Sequence, residues 1–267
     1  MSDPRPVGVF DSGIGGLTVL AAIRNALPGE NYLYLGDTAR LPYGTKSSET
    51  VTRYALRAAR FLVAQDIKLL VVACNTASAA ALPVLEAALL PLPVIGVVIP
   101  GAAQAARVSR GAVGVIGTES TIASSTYTRA VLNRRPELRV VTQACPLFVP
   151  LAEEGWFDHP VTRDVARIYL APLLAAGVDT VILGCTHYPL LKGAIAQEMG
   201  PETNLVDSAE AVAAEVAAYL GKEGRRREAA LGGLRVYITD TTERFRRIAQ
   251  TIIPSGISAL ELVDLPG

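Results

Sequence analysis

Short apolar runs alternate along this chain with longer stretches in which apolar residues recur every three to four positions, and a polar or glycine-containing turn separates most pairs. This is the pattern of repeated βαβ units. The runs predict strands over 6–10, 31–35, 68–73, 94–98, 112–116, 138–142, 178–183, 204–206, 234–239 and 259–263. The 3.6-period stretches predict helices over 15–27, 47–65, 76–90, 120–133, 161–176, 189–199, 208–220 and 242–251. Segment 221–233, GKEGRRREAALGG, breaks the periodicity and carries charge and glycine, so it reads as an exposed loop with Arg225 to Arg227 on a solvated face.

The pattern also repeats. GVFDSGIGGLT at 8–18 resembles GVIGTESTIAS at 114–124, and LLVVACNTAS at 69–78 resembles TVILGCTHYP at 180–189. Two similar α/β lobes with mainly parallel sheets account for both matches, each with one cysteine at the C-terminal end of an apolar strand.

Composition narrows the function classes. Half of the 267 residues are hydrophobic and only 6% are aromatic, which suits close-packed helices on parallel strands. Lys and Arg together number 25, as do Asp and Glu, so no net charge draws the chain to nucleic acid or to a membrane surface. The apolar run after Arg5 is too short for a signal peptide, and Pro83, Pro91 and Pro93 interrupt the longest apolar stretch. A soluble, cytoplasmic protein is expected.

Three cysteines do not make a disulfide framework, and two histidines with no C-x-x-C or H-x-x-x-H spacing argue against a zinc site. Reduced thiols with a chemical role are the better expectation for two of the three. Cys74 and Cys185 end their apolar runs and are followed by Asn75-Thr76 and Thr186-His187, whereas Cys145 sits in apolar QACPLFVPL as a small hydrophobe. Ligands bind beyond the carboxyl ends of strands in open α/β sheets, and a helix N-terminus there is expected to lower a thiol's pKa.

A duplicated acid-base residue suits inversion of a carbon acid, in which one group removes a proton from one face and another returns one to the opposite face. No cofactor is expected. Of the four lysines only Lys46 has neighbours fit for a pyridoxal site, and neither GTKS at 44–47 nor GIGG at 13–16 has phosphate-loop or dinucleotide spacing. Asp11 either caps a helix or polarises a bound ammonium and assists Cys74. His187 either satisfies a structural hydrogen bond or assists Cys185. Tyr43-Gly44 is either a plain turn or a carboxylate site made of a phenol and an open amide.

At this point five motifs in order, GVFDSGIGGLTVL, YLGDTARLPYG, VVACNTASA, CPLFVPLAEEG and LGCTHYPLL, closely resemble the glutamate racemases of the aspartate/glutamate racemase superfamily. The resemblance covers the chain from Val7 to Leu220. It implies cofactor-free interconversion of L- and D-glutamate, supplying D-glutamate for peptidoglycan, with Cys74 and Cys185 as the catalytic pair. It places Asp11, Ser12, Tyr43, Gly44, Asn75, Thr76, Thr186 and His187 around the substrate, with Asp11 and His187 also assisting proton transfer. Glu153, Thr118 and Thr121 match further positions near the substrate. The resemblance implies a first lobe formed by 1–98 and 208–267, a second formed by 99–207, a cleft between them, and a homodimer.

Three other readings stay open at this stage. A superfamily racemase for aspartate or hydantoins would keep the chemistry and change the substrate. A cysteine hydrolase using Cys185 and His187 leaves Cys74 unexplained, and residues two apart at a strand end align poorly as nucleophile and base. A non-catalytic amino-acid-binding module would tolerate loss of both thiols.

Overall fold

The computed structural model describes residues 2–241, 243–254, 257 and 259–265. Strands form where the apolar runs place them: β1 (Val7–Asp11), β2 (Tyr32–Gly36), β3 (Leu69–Val72), β4 (Val94–Gly96), β5 (Ala112–Gly117), β6 (Arg139–Ala144), β7 (Thr180–Gly184), β8 (Asn204–Val206), β9 (Leu234–Ile238) and β10 (Leu260–Leu262). Their pairings are all parallel. The first sheet has the order β10-β9-β2-β1-β3-β4 and the second β6-β5-β7-β8.

The four-strand order β2-β1-β3-β4 is therefore repeated as β6-β5-β7-β8, and β9 and β10 extend the first copy. Register repeats as well. Val7 faces Leu69 across β1 and β3, and Val113 faces Thr180 across β5 and β7. Leu69 and Thr180 stand equally far in sequence before Cys74 and Cys185, so the two cysteines leave equivalent strands at equivalent heights.

Helices cover both faces of each sheet, which is why β1, β3 and β7 are buried at every position and read as unbroken apolar runs. In the first sheet, α1 (Leu17–Ala26) and α10 (Ser208–Lys222) pack Leu20, Ile23, Val212 and Val216 with Val7, Val9 and Val71 on one face. On the other, α2 (Ser48–Val63) and α3 (Asn75–Ala88) bury Val51, Ala55, Ala59, Leu62 and Leu85 against Phe10, Leu70 and Val72. Each Leu or Val so buried contributes about 1.5–3 kcal/mol relative to exposure. Ser47 starts α2 by accepting from Thr50 N at 3.3 Å, and Asp207 starts α10 by accepting from Ala209 N at 2.9 Å.

The second sheet carries α4 (Val98–Val108) and α6 (Thr126–Leu132) on one face. Helices α7 (Phe148–Glu153), α8 (Pro160–Ala175) and α9 (Lys192–Met199) cover the other. Two short or terminal helices complete the set: α5 (Glu119–Ala123), and α11 (Glu243–Ile252) against α1.

Four features depart from the sequence expectation. Helices α4 and α7 were not predicted; each carries a proline, Pro100 and Pro150, in its first turn, where no N–H is needed. The helix expected over 120–133 is two, since Ser125 takes a left-handed conformation at φ 54° between α5 and α6. The segment expected as a helix from 189 opens with a 3-10 turn at Tyr188–Leu191. The loop after α10 is not wholly solvated: Arg225 pairs with Asp3 at 3.0 Å and Arg227 N donates to Glu30 at 2.7 Å, while Arg226 is exposed. Thr242, where the last predicted helix begins, lies outside the described residues, as do 1, 255–256, 258 and 266–267 within the expected first lobe. Among the described residues, no helix is long and apolar enough to cross a membrane.

Candidate active site

Strands β1 and β3 end side by side and release Asp11-Ser12 and Cys74 at adjacent points. Cys74 is the N-cap of α3, and its sulfur accepts from Ala77 N at 3.4 Å and donates to Ser12 Oγ at 3.6 Å. Asp11 is fully buried, its Oδ2 accepting from Gly13 N at 2.9 Å. Burial pushes the Asp11 carboxyl above the ordinary carboxylate range, opposed by the charge of His187 and by hydrogen bonds from Gly13, Gly16 and Thr186.

The expectation of a depressed thiol pKa fails at Cys74. Burial and then the Asp11 charge push it up to about 12, against the smaller favourable effects of Ala77 N–H and Ser12. Helix N-terminal amides favour the thiolate, but desolvation with a carboxylate alongside is the larger effect. At Cys74 the protonated thiol is therefore the favoured form.

Cys185 follows β7 in the same way, with different company. His187 Nδ1 lies 3.8 Å from its sulfur, and His187 Nε2 lies 3.1 Å from Glu153 Oε1 on α7. Burial favours the neutral ring, yet the hydrogen bonds and charges of Cys185 and Glu153 outweigh it and raise His187 to about 10. An imidazolium thus faces Cys185 where a carboxylate faces Cys74. In the repeat, Gly117 occupies the place of Asp11 and Thr76 that of His187, so one scaffold sets a carboxyl beside one thiol and an imidazole beside the other.

The remaining predicted residues tie the two halves together. Thr186 Oγ1 donates to Asp11 Oδ1 at 3.3 Å. Thr76, Thr118 and Thr121 form a closed triangle of hydroxyls with sides of 3.0, 3.1 and 3.0 Å. Asn75 Nδ2 donates to Tyr127 OH at 2.7 Å. Gly15 and Gly44 permit the close approach: a Cβ on Gly15 would stand 2.4 Å from Thr186 Oγ1, and one on Gly44 2.4 Å from Thr118 Cβ. The Tyr43 phenol donates its single hydrogen to Asp37 Oδ2 at 2.6 Å, so its hydroxyl is committed to the protein and Gly44 keeps the contact with Thr118.

Asp37 and Tyr127 were missed by sequence reasoning. Asp11 ends β1 and pairs with Gly36, and Asp37 is the next residue after β2; YLGD beside VFDS is the signal that could have found it. It is fully buried and also accepts from Arg40 at 2.9 Å and Thr239 at 2.9 Å, anchoring the loop that carries Tyr43. Tyr127 carries no such signal, because one tyrosine in an amphipathic helix looks like core.

Cys74 and Cys185 are only 4% and 7% exposed, so the site is closed over its thiols. Glu153 also lines a cavity of about 490 Å³ with Ile14, Leu41 and Phe245, which adjoins the His187 side. Among the described residues, no three His, Cys, Asp or Glu side chains gather as a metal site would need.

This arrangement matches known proteins along its whole length. The Asp/Glu/Hydantoin racemase family model matches residues 12–216. A glutamate racemase of Geobacter metallireducens is 55% identical over 98% of this chain and 97% of that protein. A crystal structure of the Francisella tularensis glutamate racemase in complex with D-glutamate superposes with a TM-score of 0.94 at 35% identity, covering 98% of each chain. The Escherichia coli glutamate racemase, in complex with L-glutamate and the activator UDP-MurNAc-Ala, superposes with a TM-score of 0.80 at 32% identity over 99% of this chain and 100% of that one. With model, relatives and structures in agreement, the chain belongs to the Asp/Glu/Hydantoin racemase family.

Proposed function

We propose that this protein interconverts L- and D-glutamate without a cofactor, using Cys74 and Cys185 as the two acid-base groups on opposite faces of the substrate. The observation that carries the reading is the register-equivalent placement of two thiols at the ends of β3 and β7, with a carboxyl beside one and an imidazole beside the other. One sulfur, as thiolate, takes the α-proton. The other, as thiol, delivers its proton to the opposite face of the resulting carbanion, and the next turnover in the reverse direction exchanges the roles.

The asymmetric surroundings have a use in this scheme. Asp11 beside Cys74 accepts a proton as that thiol ionises, and His187 beside Cys185 supplies positive charge to the opposite sulfur. Asn75, Thr76, Thr118, Thr121, Thr186, Ser12 and Gly44 would hold the carboxylates and ammonium. The N-terminus of α3, beginning at Asn75, favours negative charge as it develops on the reacting carbon and its carboxylate. Relatives named glutamate racemase, and neighbours crystallised with D- and L-glutamate, support glutamate over aspartate as the substrate.

The same reading makes 1–98 with 208–267 one lobe and 99–207 the other. It also makes the protein a cytoplasmic homodimer that supplies D-glutamate for peptidoglycan. The test is incubation of pyridoxal-free, metal-free protein with L-glutamate in deuterated water, following optical rotation and α-deuterium together. Loss of rotation with α-deuterium is expected. Exchange with aspartate and none with glutamate would move the substrate, and no exchange with any amino acid would overturn the reading.

A further inference from the structure

Tyr127 is 2% exposed, and its role is not explained by packing alone. Its hydroxyl accepts from Asn75 Nδ2 at 2.7 Å, and Asn75 is the residue immediately after Cys74. Its ring lies against Gly184, the residue immediately before Cys185, where a Cβ would stand 3.3 Å from Tyr127 Cε2 and 2.6 Å from the Ile116 carbonyl. One side chain on α6 thus bonds the residue after Cys74 and lies beside the residue before Cys185.

Its path there is kept clear by small residues. A Cβ on Gly101 of α4 would stand 2.3 Å from Ser208 Oγ and 3.6 Å from Tyr127 Cε1, so glycine at 101 lets α4 approach Ser208 closely beside the ring. Ser208 Oγ is the second polar neighbour of the hydroxyl, at 3.4 Å. It opens α10, the helix by which the chain returns from the second sheet to the first. Helix α4 makes the outward passage. Both crossings between the sheets therefore meet at Tyr127.

The amide of Asn75 has a donor end and an acceptor end on opposite sides. With its nitrogen 2.7 Å from the Tyr127 hydroxyl, the amide is held at one place beside Cys74. The hydroxyl stands beside Ala102, Ala105 and Ile182, so losing it would leave the buried Asn75 amide without this partner.

We infer that Tyr127 is a positioning residue for racemisation: its hydroxyl holds the Asn75 side chain in place beside Cys74. This rests on the reading of those turns as the substrate site. The test compares Tyr127→Phe, Asn75→Ala and the double variant in steady-state racemisation of glutamate, with thermal unfolding as a check on folding. Phenylalanine keeps the ring and removes only the hydroxyl.

The expected result is a rise in KM of about tenfold in Tyr127→Phe, with kcat changed less than about threefold, as loss of one buried neutral hydrogen bond to a binding group implies. The same change made in the Asn75→Ala background is expected to add less than about twofold, since its target is gone. An unchanged KM in Tyr127→Phe, or an equal rise in both backgrounds, overturns the inference. Absence of turnover in the unmodified protein would instead count against the proposed function, so the two failures are distinguishable. Should Tyr127→Phe fold poorly, Ser208→Ala is the second variant: it loosens the same hydroxyl, and its KM effect is likewise expected to vanish in Asn75→Ala, with equal effects in both backgrounds overturning the inference.

Discussion

Thr186 Oγ1 lies 3.3 Å from Asp11 Oδ1, so the turn that follows Cys185 holds the carboxylate that stands beside Cys74. Each thiol is thereby coupled to the far half of the molecule. Asp11 feels the charge of His187 as well as the Thr186 hydroxyl, and its protonation state depends on the closed arrangement of both turns. An opened form, in which Thr186 leaves, would change the acid-base character of Cys74 along with its access to substrate.

Cys74→Ser and Cys185→Ser are each expected to lower racemisation by orders of magnitude while glutamate still binds, because a serine hydroxyl is a far weaker acid than a thiol and does not readily ionise to the anion that acts as base. Circular dichroism of the substrate and calorimetric binding, run on the same preparations, check the two halves of this expectation. Near-normal turnover in either variant would remove the two-thiol mechanism.

Asp11→Asn keeps the shape of the carboxylate and removes its ability to take a proton. The expected loss in kcat/KM is about 10²–10⁴-fold. It must be equal for the two enantiomers, since their equilibrium constant is unity. The asymmetry should appear in primary isotope effects measured with α-deuterated L- and D-glutamate, which diverge as the step at Cys74 slows. Unchanged isotope effects would mean that Asp11 holds structure only.

His187 is raised from 6.5 to about 10, so the native state holds this proton more tightly than the unfolded chain. Its stabilisation is full below pH 6.5 and is lost as pH rises through 10. Cys74, raised from 9.0 to about 12, acts in the same direction at higher pH, because the unfolded thiol ionises first. Urea unfolding midpoints should fall between pH 6.5 and 10, and fall less steeply in His187→Gln. Identical slopes would assign the effect to other groups.

Gly15→Ala drives a methyl to 2.4 Å from Thr186 Oγ1 and 2.8 Å from the Thr186 carbonyl carbon, which is backbone and cannot turn aside. Overpacking of this kind costs about 1–3 kcal/mol. The expected outcome is a lower melting temperature and a turnover loss of at least about tenfold, from prying the Asp11 and Cys185 turns apart. Wild-type turnover would show that the approach seen here is not the reactive one.

Lys68 is fully buried and 2.6 Å from Glu30, and it also donates to the carbonyls of Asp3 and Arg225. Lys68→Met leaves the Glu30 charge without its cation and is expected to destabilise by about 3–5 kcal/mol, and Lys68→Met with Glu30→Gln by less. Chemical denaturation of both variants checks this, and equal losses would refute the uncompensated charge as the cause.

The sequence by itself determined the elements and their repetition. Strand burial on both faces gives uninterrupted apolar runs, and the recurrence of those runs with a cysteine at each end made the pair Cys74 and Cys185 legible before any coordinates. Local pattern was misleading where a residue's effect depends on its place in an element. Pro100 and Pro150 lie in the first turns of two helices that were not predicted, and Ser125 splits one predicted helix through a backbone conformation that its side chain does not announce.

What only the tertiary structure decided is what stands beside each thiol. Cys74 and Cys185 look alike in sequence, each with a following helix or turn to favour its thiolate. Folding buries Asp11 against one and brings His187, backed by Glu153 from α7, against the other. Tyr127 meets Asn75 from 52 residues away, and Thr186 meets Asp11 from 175. Secondary structure follows from neighbours a few residues apart, whereas charge, desolvation and hydrogen bonding act through space, and the groups that set the chemistry of this site lie far apart along the chain.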